Sequence, residues 1–224
     1  MIILGCDTST KTAHLFLGEY EEDQLSWYET TSVVWNNTHS EQLLDRLLLM
    51  CSDHSIELSE LDLLCASSGP GSFTGLRIAL ATMKGLALGL NKPLVSVPTL
   101  DLFQGIARFI GGACLAVIDA KKQRFYTALF VDGIQIGESS DLSPDEIASL
   151  IAPHPSITLL GSDGTLLAKR LADPKVAVFE AHRQNLGVEL ADRARKHYLE
   201  TGADPLDQGP TYIRKSDAEL ALKE

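Results

Sequence analysis

Two features of this 224-residue chain contain the residue types from which phosphate or metal chemistry is built. One is the loop Gly69-Pro70-Gly71-Ser72-Phe73-Thr74-Gly75; the other is the pair Asp7 and Asp119, each closing an apolar run. Glycine reaches positive φ and lets another group come close to the backbone, so a loop this rich in glycine raises the question of what approaches it. A phosphate-binding P-loop needs G-x-x-x-x-G-K-[ST], and no glycine here precedes lysine and a hydroxyl at that spacing. The dinucleotide fingerprint G-x-G-x-x-G fails as well, because Gly75 lies one residue too far along. Ser72 or Thr74 at a helix start would leave N–H groups open to an anion. A plain strand-to-helix turn accounts for the same residues.

The carboxylates pose a similar choice. Asp7, with Thr8 and Ser9, and Asp119 could between them hold a metal–nucleotide complex. The turns after both aspartates lack the glycines that admit a phosphate, and the second carries Lys121, Lys122 and Arg124. Each aspartate could equally cap its own turn. The six histidines show neither HxxxH nor HExxH spacing, and no G-x-S-x-G elbow occurs. A metallopeptidase or a serine hydrolase therefore lacks its signature.

The elements that position these residues follow one plan drawn twice. Apolar periodicity predicts strands at 2–6, 12–18 and 24–34, then a helix at 39–53 with Leu43, Leu44, Leu47, Leu48 and Cys51 on one face. A strand at 62–67 leads into the glycine loop and a helix at 74–90; a strand at 94–97 and a helix at 99–110 follow. Thr38 and Glu41 fit a capping box around His39. The plan restarts with strand 114–118, strands 125–131 and 134–139 around the turn Asp132-Gly133, and a helix opened by Ser143 and Pro144. Strand 157–160, helix 163–172, strand 175–179 and helix 186–200 complete it. Meanders followed by alternating helices and strands imply mixed sheets flanked by helices. The fold class is α/β, with two tandem domains resembling the ribonuclease-H-like architecture of the actin superfamily, divided into 1–110 and 111–224.

Bulk properties narrow the function classes. The formal net charge is −11, with six Lys/Arg against thirteen Asp/Glu up to residue 110. Such a surface repels phosphate backbones, which argues against unaided nucleic-acid binding. The apolar run 78–90 falls short of the ~20 residues a membrane span needs. With no signal-peptide pattern at Met1 to Asp7, the expectation is a cytoplasmic protein, away from membranes, whose four cysteines are free buried thiols.

Helix 74–90 is apolar almost all round, which implies burial on more than one side. Either it is a central core helix, or one face meets a second subunit. Leu49 and Met50, expected off the core face of helix 39–53, favour the second choice. The candidate partner interface is His39, Leu43, Leu47, Met50, Arg77, Leu80, Met83, Lys84 and Ala87.

Taken together, Ile3 to Thr10, His39-Ser40-Glu41, Gly69 to Arg77, Lys84 to Ala87, Pro98-Thr99-Leu100, Asp119-Ala120 and Pro210 to Arg214 resemble the TsaB (YeaZ) family. The resemblance implies an actin-like fold whose helices 39–53 and 74–90 pack against a TsaD-type catalytic subunit, or against a second copy when the chain is alone. A TsaE-type ATPase joins that complex, so ATP and magnesium are used by the assembly and none is held tightly by this chain. The assembly places threonylcarbamoyl on the adenosine beside the anticodon of tRNAs reading codons that begin with A, and tRNA is reached only through it. The resemblance implies a non-catalytic subunit, since the metal-binding histidine pair belongs to TsaD. Lys121 and Arg124 stand where the family usually has arginine and glutamate. The rival is a self-sufficient actin-like ATPase or kinase using Asp7 and Asp119.

Overall fold

A computed structural model describes residues 1–34, 39–179, 185–211 and 213, and the side chains of 39–41 lie outside that set. Thr38 with its expected cap, His182, Tyr212 and Arg214 also fall outside it, as does the side chain of His39. The first sheet is built from β1 (Ile2–Asp7), β2 (Thr12–Glu21), β3 (Gln24–Val34), β4 (Leu63–Gly69) and β5 (Leu94–Pro98), ordered β3-β2-β1-β4-β5. β1 to β3 form an antiparallel meander, and β4 and β5 add in parallel. Between them come α1 (His39–Asp53) and α2 (Phe73–Leu90).

The second sheet repeats the arrangement with β6 (Ala113–Asp119), β7 (Phe125–Val131), β8 (Ile134–Leu142), β9 (Ile157–Leu160) and β10 (Val176–Val178), ordered β10-β9-β6-β7-β8. Its meander turns at Asp132 and Gly133, both at positive φ, as a two-residue hairpin requires. Ser143 and Glu146 cap α4 (Pro144–Ile151) reciprocally, and α5 (Gly164–Leu171) precedes β10. Strand order and direction in both sheets are those of the ribonuclease-H-like, actin-type domain.

Three apolar layers hold the molecule together. Leu4, Cys6, Leu15 and Leu17 on one face of the first sheet meet Leu43, Leu47, Met50 and Cys51 of α1 and Ala79, Leu80, Met83 and Ala87 of α2. The opposite face, with Ile3, Phe16, Cys65 and Val95, meets Cys114, Ala116, Ile118 and Phe130 of the second sheet in a core shared by both. Leu115, Val117, Phe125 and Leu129 pack under Ile147, Ile151 and Leu167 of α4 and α5. Strands buried on both faces read as unbroken apolar runs, which is why β1 and β4 stand out in the sequence.

The sheets fall on either side of residue 110, but the helices cross that line. The segment 99–110 is two pieces, a 3₁₀ helix Thr99–Phe103 and α3 (Gln104–Ile110), and α3 lies against β6, β7 and β8. Leu100, Leu102 and Phe103 all turn into the shared core, a spacing that one face of a 3.6-residue helix does not collect. In exchange α6 (Gly187–Thr201) returns to the first sheet and buries Leu190, Ala191 and Ala194 against it.

Apolar and 18 residues long, α2 is the one helix among the described residues long and apolar enough to be a membrane-span candidate. Here it packs onto the first sheet through Leu76, Ala79, Leu80, Met83 and Ala87. The four cysteines are free and buried, and burial pushes their thiols up, Cys114 to about 11. Leu47 has no exposed surface and lies in the α1–α2 layer. Leu47→Ala is expected to lower unfolding free energy by ~2–5 kcal/mol, read as a lower midpoint in urea denaturation at unchanged slope.

Candidate functional site

The glycine loop closes on the chain's own first turn. A Cβ at Gly75 would lie 2.0 Å from the Thr8 carbonyl oxygen, and one at Gly71 would lie 2.5 Å from that of Ser9. Thr8 Oγ1 donates to the Gly75 oxygen at 2.7 Å, and Ser72 N donates to the Ser9 oxygen at 2.6 Å. Ser72 is the residue that caps α2, its Oγ accepting from Gly75 N. Among the three loop glycines, Gly69 alone needs a positive φ, +110°; the other two supply clearance. The group that approaches the loop is therefore backbone, and Asp7, Thr8 and Ser9 are buried beneath it.

Under this lid lies a polar cluster that pattern reading passed over. Asp7 Oδ1 accepts from Ser67 Oγ at 2.5 Å and from Ser9 N at 2.9 Å. His14 faces Asp7 across the β1–β2 ladder, its Nδ1 2.9 Å from Ser32 Oγ, and Asn185 Nδ2 donates to the same hydroxyl. Burial lowers the His14 imidazole below its ordinary value, with the Asp7 charge opposing, so the ring is held neutral. Asp7 Oδ2 and Ser9 Oγ are buried without a hydrogen-bond partner among the described residues. The signal for this cluster was a histidine inside the apolar run Thr12–Glu21.

The counterpart turn in the second half is open. Asp119 Oδ1 accepts from Lys121 N and Oδ2 from Lys121 Nζ, both at 2.9 Å, while Asp119 N donates to Asp163. Burial pushes the Asp119 carboxyl up, but the Lys121 hydrogen bonds outweigh it and hold it below the usual carboxylate range. Lys121, Lys122 and Gln123 all have positive φ, a costly run for residues with side chains. Arg124 leaves the turn to pair with Asp141 and Glu146. Among the described residues, no three His, Cys, Asp or Glu side chains are grouped to hold a metal ion.

The expected docking residues divide between core and surface. Leu43, Leu47, Met50, Leu80, Met83 and Ala87 are at most 5% exposed, so they form the seam of α1, α2 and the sheet and present no surface. Met50 is a correction: it follows Leu43 and Leu47 on the inward stripe at helical spacing, while Leu44 and Leu49 are the exposed leucines, at 41% and 49%. The outer face of α2 runs through Thr74, Arg77, Ala81, Gly85 and Leu88 at three- and four-residue steps. A Cβ on Gly85 or Gly89 would meet nothing within 4 Å. Arg77 lies over the ring of Phe73, 3.9 Å from its centre, and Lys84 Nζ donates to the Gln208 oxygen.

Two sheets of this order, sharing one core and exchanging a helix across it, define a two-domain actin-like protein. The YeaZ structure from Pseudomonas aeruginosa superposes on the chain with a TM-score of 0.76 and 24% identity, over 94% of this chain and 99% of that one. A family model described as TsaD: tRNA N6-adenosine threonylcarbamoyltransferase matches residues 33–180. The chain belongs to this family, on its TsaB (YeaZ) branch. The tRNA threonylcarbamoyladenosine biosynthesis protein TsaB of Escherichia coli is 34% identical over 150 residues, 63% of this chain and 61% of that protein. An uncharacterized protein of Mycobacterium leprae is 29% identical over 161 residues, 72% of this chain and 43% of its own. The chain spans about half the length of the curated relatives it matches.

Gly75→Ala would drive a methyl into the Thr8 carbonyl. It is expected to cost ~1–3 kcal/mol, as overpacking against backbone does, measured by thermal unfolding. For His14 the folded state binds fewer protons than the unfolded state, whose value is 6.5, so its contribution is present above 6.5 and lost as pH falls below it. Melting temperature from pH 7.5 to 5 is expected to fall more steeply for the native chain than for His14→Asn; parallel curves would contradict the assignment.

Proposed function

We propose that this chain is a non-catalytic scaffold subunit in the synthesis of threonylcarbamoyladenosine in tRNA. It acts by presenting the outer face of α1 and α2 to a TsaD-type catalytic subunit. The carrying observation is that face: Ala81 and Gly85 leave open space between Arg77 and Leu88, which is 67% exposed, on a helix whose inner side is fully engaged. Small residues let a second helix approach closely, and an exposed apolar stripe rimmed by charge marks an interaction site. The biosynthetic role comes from the relatives of that name, and membership in the same family supports it.

On this reading a second copy covers the same face when the catalytic subunit is absent. A TsaE-type ATPase joins the assembly, which uses ATP and magnesium, works in the cytoplasm and brings tRNA to the catalytic subunit. The chain then contributes surface rather than reacting groups. In the second reading, an actin-like ATPase, Asp7 and Asp119 would hold the nucleotide. The glycine loop seated on Thr8 and Ser9, and the Asp119 carboxylate taken by Lys121, weigh against it.

Co-purification of the tagged chain with the TsaD-type protein of the same organism tests the scaffold. Ala81→Asp and Gly85→Leu, both at exposed positions, are expected to weaken the complex about thirtyfold or more while the urea midpoint stays unchanged. Complex formation at native affinity by both variants would overturn the assigned face. Calorimetry with magnesium-ATP on the isolated chain checks the rival, which requires tight binding abolished by Asp7→Ala.

A further inference from the structure

The segment after α6 forms a strap along β5, the edge strand of the first sheet. Asp204 anchors its start: Oδ2 accepts from Ser96 N and Ser96 Oγ, both at 2.7 Å, Oδ1 lies 3.1 Å from His197 Nε2, and the backbone N–H donates to Leu94 O. The far end is anchored where Thr211 N donates to Ser68 O at 2.7 Å and the Thr211 oxygen sits against Gly69. Ile213 then packs against the core shared by the two sheets. Between these anchors residues 205–209 are exposed. Among the described residues, the side-chain hydrogen bonds that tie them to the body are at Gln208: its oxygen accepts from Lys84 Nζ at 2.5 Å, and its amide nitrogen lies 3.4 Å from Ser96 Oγ.

The strap covers Ser68, the neighbour of the serine that holds Asp7. Its middle thus depends largely on one cation, and that cation stands on α2 next to Gly85, on the rim of the stripe assigned to docking. A carboxylate brings a full negative charge to an ammonium where a backbone carbonyl brings only a dipole, so the ion pair adds Coulomb attraction to the hydrogen bond. The Gln208 carbonyl is at the surface and rehydrates at little cost when the lysine leaves. A partner bearing an acidic side chain over Gly85 therefore competes favourably for Lys84.

Resting on the docking reading above, we propose that the strap is a latch released from the docking face. A partner carboxylate takes Lys84, Gln208 is freed, and residues 205–211 loosen over Ser68 and Gly69. A site on the outside of α2 is thereby coupled to the end of β4, at the cover of the Asp7 cluster. The coupling has the form a binding-linked change requires, since the partner contacts Lys84 differently in the latched and released states.

Hydrogen–deuterium exchange on the full chain tests the latch without any partner. Lys84→Met is expected to raise exchange at the Gln208 and Thr211 amides about tenfold, the effect of losing one charge-assisted hydrogen bond, while Lys84→Arg restores most of the protection. Equal exchange in the native chain and Lys84→Met would overturn the latch outright. Adding the transferase subunit of the proposed complex to the native chain is expected to reproduce the Lys84→Met pattern. A complex that forms with exchange at Gln208 and Thr211 unchanged or slowed overturns the release step and leaves the docking reading standing. Failure to form any complex overturns the docking reading and the release step together, whereas the Lys84→Met comparison still decides whether Lys84 holds the strap.

Discussion

The contact on which the structure turns is backbone against backbone: the glycine loop pressed onto Thr8 and Ser9. Gly71 and Gly75 stand so close to those carbonyls that no side chain fits between them. The first turn, the end of β4 and the start of α2 are locked into one unit by this approach, with Ser72 capping the helix and bonding the turn in the same stroke. The direction of α2 follows, and with it the orientation of the face that leaves Ala81 and Gly85 open. At the end of the first strand Asp7, Thr8 and Ser9 are buried beneath the chain's own loop. The second half shows the alternative, an open turn whose carboxylate is satisfied by the lysine two residues on.

Most of the fold was legible because the central strands are buried on both faces and announce themselves as unbroken apolar runs. β1 and β4 needed no more than that. Helix boundaries followed caps that act within a few residues, as at Ser143. What the periodicity of a single segment does not contain is its partner in space. Helix 186–200 reads as the completion of the second unit, yet it seals the first sheet, while α3 (Gln104–Ile110), read as part of the first unit, lies against the second sheet. Both errors concern which of two apolar surfaces a helix meets, a long-range choice that local spacing cannot encode.

The site was legible at the level of motif and less so at the level of side chains. The glycine loop and both aspartates were singled out by type, but the loop's occupant was the chain's own turn. Met50 was expected outside and lies inside, because a stripe of two leucines and a methionine at helical spacing does not say which neighbours flank it. His14 was set aside for want of a second histidine at ligand spacing. Its partner Ser32, and Asn185 that donates to the same hydroxyl, come from a neighbouring strand and from a segment near the far end of the chain, and no spacing rule connects them. The role of Lys84 was obscured in the same way, since its acceptor is a backbone carbonyl at Gln208.

The return of α6 to the first sheet also sets an order of events during synthesis. The face of that sheet carrying Ile3, Phe16, Cys65 and Val95 lies against the 3₁₀ helix Thr99–Phe103, but its α-helical cover is complete only once Leu190, Ala191 and Ala194 have been made. At the usual rate of about 5–20 residues per second, the ribosome takes roughly 5–20 s to travel from the end of β5 to α6. For that interval the part of the sheet's apolar surface that α6 covers must wait. The nascent chain is thus most exposed to misassociation late in translation, when nearly all of its strands already exist.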